Sequence, residues 1–207
     1  MPSGRPKVYA IDGVTPVVHP SAFVHESAVL IGDVIVGAHA YLGPCASLRG
    51  DFGRIVVEEG ANVQDSCLLH GFPGKDTEVG RGATIGHGAV LHGCVIGAGA
   101  LVGMNAVVND NAVVGEESIV AALAFVRAEA KIPPRSLAAG IPARVMRRLG
   151  ADELRWKTDN AELYRQLALR SHTTMKRVPA LAEVEAVRKH IEVPGSIPLS
   201  ELKAKKP

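Results

Sequence analysis

An aliphatic residue recurs at every sixth position through most of the chain, commonly followed by glycine. The series opens Val18, Val24, Leu30, Val36, Leu42 and Leu48. It breaks over Arg49 to Arg54, resumes at Val57, Val63 and Leu69, and breaks again over Gly71 to Glu78 before Val79, Ile85 and Leu91. One hexad is then a residue short, and Ile96, Val102, Val108, Val114, Val120, Val126 and Ile132 follow. A strand repeats every two residues and a helix about every 3.6, so a period of six is neither as one continuous element. It predicts an all-β solenoid, a prism whose flat sides each take one short strand and one turn. From about Ala151 the period is lost, and Leu154, Ala161, Tyr164, Leu167 and Ala168 recur near helical spacing behind Asp152, a candidate cap. The chain thus divides into a hexapeptide-repeat domain at 1–150, a C-terminal α-helix at 151–175 packed on the side of the prism, and a tail at 176–207. The tail has a short helix around Leu181 to Lys189 and a frayed end from Glu201 to Pro207.

Composition narrows the function classes. The 207 residues fit one domain with an appendage. Lys+Arg 23 against Asp+Glu 21 gives a net charge of +2, too balanced for a nucleic-acid or membrane-surface protein. The longest apolar run, Ile119 to Val126, is too short to span a bilayer, and the first residues hold no secretory signal. Cys45, Cys67 and Cys94 are odd in number and outside CxxC spacing, which fits structural thiols in a reducing cytoplasm.

Hexad repeats of this kind resemble the left-handed parallel β-helix, in which three sides make one coil. Hexads three apart then stack on one side, and Arg49, His70 and His92 become the second residues of hexads opened by Leu48, Leu69 and Leu91. Neighbouring strands lie about 4.8 Å apart, so His70 and His92 sit side by side, close enough to share one metal ion. His87 is the third residue of the preceding hexad and points away on the adjacent side. A neighbouring chain could bring its own His87 to complete the set, with three equivalent sites around a homotrimer.

Two segments, ASLRGDFGRIVVEEGANVQDSCLLHG from Ala46 and IGHGAVLHGCVIG from Ile85, are similar to the γ-class carbonic anhydrase family of hexapeptide-repeat proteins. The resemblance implies that His70, His87 and His92 ligate a metal: zinc, with iron or cobalt also accepted. It implies that Gln64 positions metal-bound hydroxide, with Asp65 as its supporting carboxylate. Arg49 and Asp51 then join subunit and substrate-anion contacts. Arg49 and Asp65 equally suit an interface ion pair, and Asn62 a turn. Where the family's carbonic anhydrases carry glutamates, one of them a proton shuttle, this chain has Phe52 after Asp51 and the loop GFPGKDTE. Within the family the chain most resembles the phenylacetate-degradation hexapeptide proteins and their carnitine-operon relatives, through GVTPVVHPSAFVHESAVLIGDVIVG, EESIVAALAFV and GIPARVMRRL with ELRWKTDNAELYRQLALR. This resemblance implies a metal-dependent thioesterase acting on phenylacetyl-CoA-type thioesters. Carbonic anhydrase activity on CO2, a hexapeptide acyltransferase and a non-enzymatic accessory scaffold of CoA metabolism are the alternatives. Arg144, Arg147 and Arg148 could meet CoA phosphates or form a solvated basic turn.

Overall fold

The computed structural model describes residues 6–191, 193 and 201. In each hexad the aliphatic side chain points into the prism, and the residue two positions before it is small. Ala28 with Leu30, Ala46 with Leu48, Cys67 with Leu69 and Ala89 with Leu91 are all fully buried in this way. Cys67 and Cys94 therefore occupy positions that alanine fills on other coils, and both are free thiols. Each turn folds back tightly, and one residue per turn takes a left-handed conformation. Asn105, Asn111, Glu117, Leu123, Glu129 and Arg135 have φ between 54° and 62°.

The coils stack in register to give a parallel β-solenoid with three faces. Face one holds β1 (Lys7–Tyr9), the first halves of β4 (Val29–Val36) and β6 (Ser47–Val57), then β8 (Leu68–His70), β11 (Val90–His92), β14 (Val107–Val108) and β17 (Phe125–Val126). Face two holds β2 (Val17–Val18), the second halves of β4 and β6, β9 (Thr77–Val79), β12 (Val95–Ile96), β15 (Val113–Val114) and β18 (Lys131–Ile132). Face three holds β3 (Phe23–Val24), β5 (Tyr41–Leu42), β7 (Asn62–Val63), β10 (Thr84–Ile85), β13 (Leu101–Val102), β16 (Ile119–Val120) and β19 (Ser136–Gly140). An antiparallel return strand, β20 (Ala143–Arg148), closes the C-terminal end of face three.

The two breaks in the hexad series both fall at the corner between faces one and two, on successive coils. The first lies within β6 as a bulge: Gly32 pairs with Gly50 and Val34 with Ile55, so Asp33 alone of β4 stands against residues 51–54 of β6. The second, Gly71 to Asp76, packs directly on it, backbone against backbone. A Cβ on Gly53 would lie 2.1 Å from the Lys75 carbonyl oxygen, and one on Gly71 would lie 2.6 Å from Gly53 Cα. Only glycine allows this approach.

Helix α1 (Ala151–Thr174) crosses face three. Its N-cap is Gly150; Asp152, expected from the sequence to cap, lies inside the first turn with Glu153. The Gly150 N–H donates to the Glu153 carboxylate at 3.1 Å, and that carboxylate also takes two bonds of 2.7 Å from Arg147. Acidic groups in a first turn stabilise the positive end of the helix, so a second cap is not required there. Face three turns an aromatic ladder toward α1: Phe23 stacks on Tyr41, Tyr41 meets Tyr164 at 5.5 Å between centroids, and Ala168 is buried alongside. His172 Nε2 lies 2.7 Å from the Ala22 carbonyl oxygen, and Lys157 donates to the Gly99 carbonyl from a buried position. The short helix expected at Leu181 to Lys189 is absent; the segment is coil and bends, with Leu181, Val184 and Val187 exposed. Of the tail from Glu201 to Pro207, all but the first residue lies outside the described residues. Among the described residues no helix is long and apolar enough to cross a membrane.

Candidate metal centre

Parallel register sets the first half of the site. Arg49 pairs with His70 and His70 with His92 on three successive coils at the end of face one. The imidazoles are tilted by 52° with centroids 5.1 Å apart, and His70 Nδ1 lies 3.2 Å from His92 Nε2. Each ring is held from outside by a carboxylate: Asp51 Oδ1 lies 2.9 Å from His70 Nε2, and Asp110 Oδ1 lies 2.6 Å from His92 Nδ1. An ionised carboxylate only accepts, so Asp110 favours the proton on His92 Nδ1, which leaves His92 Nε2 as an acceptor toward His70. His70 Nε2 lies between Asp51, which only accepts, and Arg49 Nη2 at 3.0 Å, which only donates.

Either a proton on His70 Nδ1 or a cation between the rings satisfies that arrangement. Two nitrogens bound to one tetrahedral metal at about 2.0–2.1 Å are about 3.3 Å apart, close to the separation seen. Carboxylates behind the ligating rings are the usual outer support of a histidine metal site. The residues present therefore fit a divalent ion, with His70 and His92 as two of its ligands. One copy of the chain does not supply a third: among the described residues no group of three or more His, Cys, Asp or Glu side chains is placed to hold an ion.

Arg49 lies beside this pair, with Nη2 3.0 Å from His70 Nε2 and Nε 3.8 Å from Asp51 Oδ2. A guanidinium only donates, so at 3.0 Å it uses His70 Nε2 as an acceptor, and with Asp51 it forms a longer ion pair. Phe52 and Phe72, one from each stacked insertion, set their rings 5.5 Å from His70 and 6.3 Å from His92. Phe52 stands directly after Asp51, so an aromatic face rather than a carboxylate flanks the pair.

The other predicted residues gather at the opposite corner, where face three turns into face one. Asn62 is fully buried and donates from Nδ2 to Thr84 Oγ1 at 2.9 Å. Its Oδ1 accepts from Gln64 Nε2 at 3.1 Å, which leaves the Gln64 carbonyl oxygen as the free end of that amide. Asp65 Oδ2 lies 3.3 Å from His87 Nδ1, and both side chains are about half exposed. Within one protomer Asp65 is thus paired with His87, and Arg49 with Asp51. The hydrogen bonds of Asn62 serve Gln64 and Thr84, not a turn.

Sequence reasoning missed Asp110, although it stands 18 residues after His92, one ordinary coil further on. It missed Phe72, and also Trp156 and Tyr164, which reach the Gln64 and His87 corner from α1. The buried thiols supply no nucleophile: burial pushes Cys67 up to about 11 and Cys94 up to about 12.

The pattern described as "Bacterial transferase hexapeptide (six repeats)" matches residues 93–128. The carnitine operon protein CaiE of Escherichia coli (strain K12 / DH10B) is 54% identical over 184 residues, covering 89% of this chain and 94% of that protein. Among solved structures, a candidate acetyltransferase of Bacillus cereus superposes with a TM-score of 0.81 at 30% identity, over 82% of this chain and 99% of the other. A hexapeptide transferase family protein from Anaplasma phagocytophilum gives 0.77 at 36% identity, over 80% and 98%. These names include transferases and no hydrolase, and they support the carnitine-operon side of the resemblance drawn from the sequence. The extent of the CaiE match settles membership: the chain belongs to the hexapeptide-repeat transferase family, in the group of the carnitine operon protein CaiE.

Proposed function

We propose that the protein hydrolyses acyl-CoA thioesters at a divalent-metal site shared between copies of the chain. The observation that carries this reading is the 3.2 Å approach of His70 Nδ1 and His92 Nε2, with the carboxylates of Asp51 and Asp110 behind the two rings. Hexapeptide β-helix proteins typically form trimers. Face one suits such an assembly, because Leu68 is 43% exposed in a row with the partly exposed Val90, Val107 and Phe125. Turned toward a threefold axis, that face would set the His87 and Gln64 corner of one copy against the His70 and His92 corner of the next.

Imidazole suits zinc, iron and cobalt alike, with zinc the ion expected. Bound there, a divalent ion would polarise an acyl carbonyl and generate a water-derived nucleophile near neutral pH. Gln64, its amide nitrogen committed to Asn62, keeps its carbonyl oxygen to accept a hydrogen bond from the attacking water and aim it. Arg49, ion-paired with Asp51, supplies positive charge where the thioester oxygen becomes anionic. A thiolate leaves with less protonation than an amine, so Phe52 in place of an acid does not block this reaction. CO2 hydration would use the same centre and would lack its shuttle.

The test follows free thiol from phenylacetyl-CoA and from an acyl-CoA bearing a carnitine-type quaternary ammonium, the second chosen for the carnitine-operon kinship. Zinc-reconstituted protein should turn over at least one of them, and His70→Ala and His87→Ala should each lower the rate at least a hundredfold. Full metal occupancy with no thiol released from either would refute the reading.

Acyl transfer is the second reading, favoured by the His87 and Asp65 pair and by the likeness to the Bacillus cereus candidate acetyltransferase. Asp65 holds His87 Nδ1, which leaves Nε2 to act as general base on an acceptor amine or hydroxyl. Transfer of that kind would survive His70→Ala and chelation and be lost with His87→Ala. Hydrolysis at the metal would be lost in all three.

A further inference from the structure

Helix α1 does not lie flat on face three along its whole length. It packs closely on β3, β5 and β7, where Tyr164 and Ala168 meet the aromatic ladder. Over β10, β13 and β16 it stands off, leaving a groove of about 430 Å³. That volume falls in the range of small-molecule sites.

Leu101, Ile119 and Leu137 form its sheet wall and Trp156 its helix wall. At the corner of the coil carrying β16, the turn reads Ala121-Ala122, where the coils before it carry Gly103-Met104 and Gly86-His87. No charged side chain enters from that end. Asn160 spends an amide N–H on the Trp156 carbonyl. Gln64, Thr84 and His87 line the opposite end, on the coils of β7 and β10. A largely apolar trough with the Gln64 and His87 side chains at one end matches the polarity of an acyl chain joined to its carbonyl.

We infer that this groove binds the hydrocarbon part of the acyl group, with the carbonyl end at Gln64 and His87 and Trp156 against the chain. The assignment rests on the reading of the protein as acting on acyl thioesters, and it fixes the substrate class: medium-length alkyl or single-ring aryl acyl groups in preference to acetyl. His87 belongs to the same protomer as the groove, so each copy would hold the acyl chain while its neighbour supplies His70, His92 and Arg49.

Trp156 is the single tryptophan of the chain, so its emission reports on this groove. The experiment titrates the full-length protein with free CoA and with S-ethyl-, S-butyl-, S-hexyl- and S-octyl-CoA, thioethers that cannot be hydrolysed. Each added methylene that enters the groove should tighten binding by about fourfold, with a saturable change in Trp156 emission. Ala121→Leu, which places a branched side chain in the groove, should weaken S-octyl-CoA binding at least tenfold and leave free CoA unchanged. If that variant melts well below the wild type, Ala122→Leu takes its place.

Equal affinity for free CoA and S-octyl-CoA would overturn the assignment, as would S-octyl-CoA binding unaltered by both fillings. Chain-length dependence in a protein that releases no thiol from any thioester would refute the hydrolytic reading and leave the groove standing. Turnover without chain-length dependence would do the reverse.

Discussion

Asp110 offers the sharpest test of the centre, because it touches no reacting group. Replacing it with asparagine keeps an oxygen able to accept the His92 Nδ1–H and removes the negative charge behind the ring. Asp110 Oδ1 sits 2.6 Å from Nδ1, a short charge-assisted contact. Loss of such outer support costs between about ten- and a hundredfold in metal affinity. The His92 and Asp110 side chains are 30% and 36% exposed, so solvent screens part of the interaction. The lower end applies, about tenfold or about 1.4 kcal/mol. Zinc affinity is measured by competition against a chelator of known strength, with thermal unfolding of the apoprotein as a control for the fold. Asp110→Asn should weaken zinc about tenfold, Asp110→Ala more, and neither should shift apoprotein unfolding by more than about 0.5 kcal/mol, as for a surface change. Unchanged zinc affinity in both variants would mean that the carboxylate does not set the tautomer of His92. The argument that Asp110 supports His92 as a metal ligand would then fail.

The fold itself makes three further predictions. Cys67 and Cys94 keep their protons to about 11 and about 12 in the folded chain because they are buried, above the ordinary thiol value of 9.0. The folded state therefore binds more protons than the unfolded one above pH 9, and stability present below pH 9 is lost as pH rises through the folded values. Urea midpoints should fall between pH 9 and 11, and the double variant Cys67→Ala, Cys94→Ala, which restores the residue of the other coils, should fall less steeply. Gly53→Ala drives a Cβ into the Lys75 carbonyl at 2.1 Å, so it should destabilise by about 2 kcal/mol or more and weaken zinc binding together; a normal melting temperature would show that the insertions separate freely. Glu129, exposed at φ 62°, should gain about 0.5 kcal/mol on change to glycine, read from denaturant midpoints, because relief of the left-handed strain outweighs glycine's greater freedom when unfolded.

Hexad spacing made the solenoid legible because one residue in six has no alternative to the interior of so narrow a prism. The same spacing placed His70 beside His92 and sent His87 to another corner, since register follows directly from counting coils. Counting failed where the backbone departs from the lattice. Asp110 stands a full 18 residues after His92, but the coil between them is one residue short, so the ladder sets Asn109 opposite His92 and Asp110 reaches the ring from the next position. The tail shows the limit of periodicity alone. Leu181, Val184 and Val187 recur at helical spacing, yet they are exposed, and a short helix without a surface to pack on is not stable in water. The groove under α1 left no trace in the sequence because it depends on how far the helix stands from face three. Tyr164 marks the end of the groove where the helix comes down onto Tyr41, with ring centroids 5.5 Å apart.

The parallel register acts as a ruler. The separation of the two imidazoles follows from the rise between coils, which the hydrogen-bond ladder fixes for every column of outward-facing residues, and no loop has to be shaped to achieve it. Any two side chains at matching positions on adjacent coils inherit the same spacing. On such a scaffold, gaining or moving a pair of reactive groups is a change of letters in a column, and the backbone that measures the distance between them need not change.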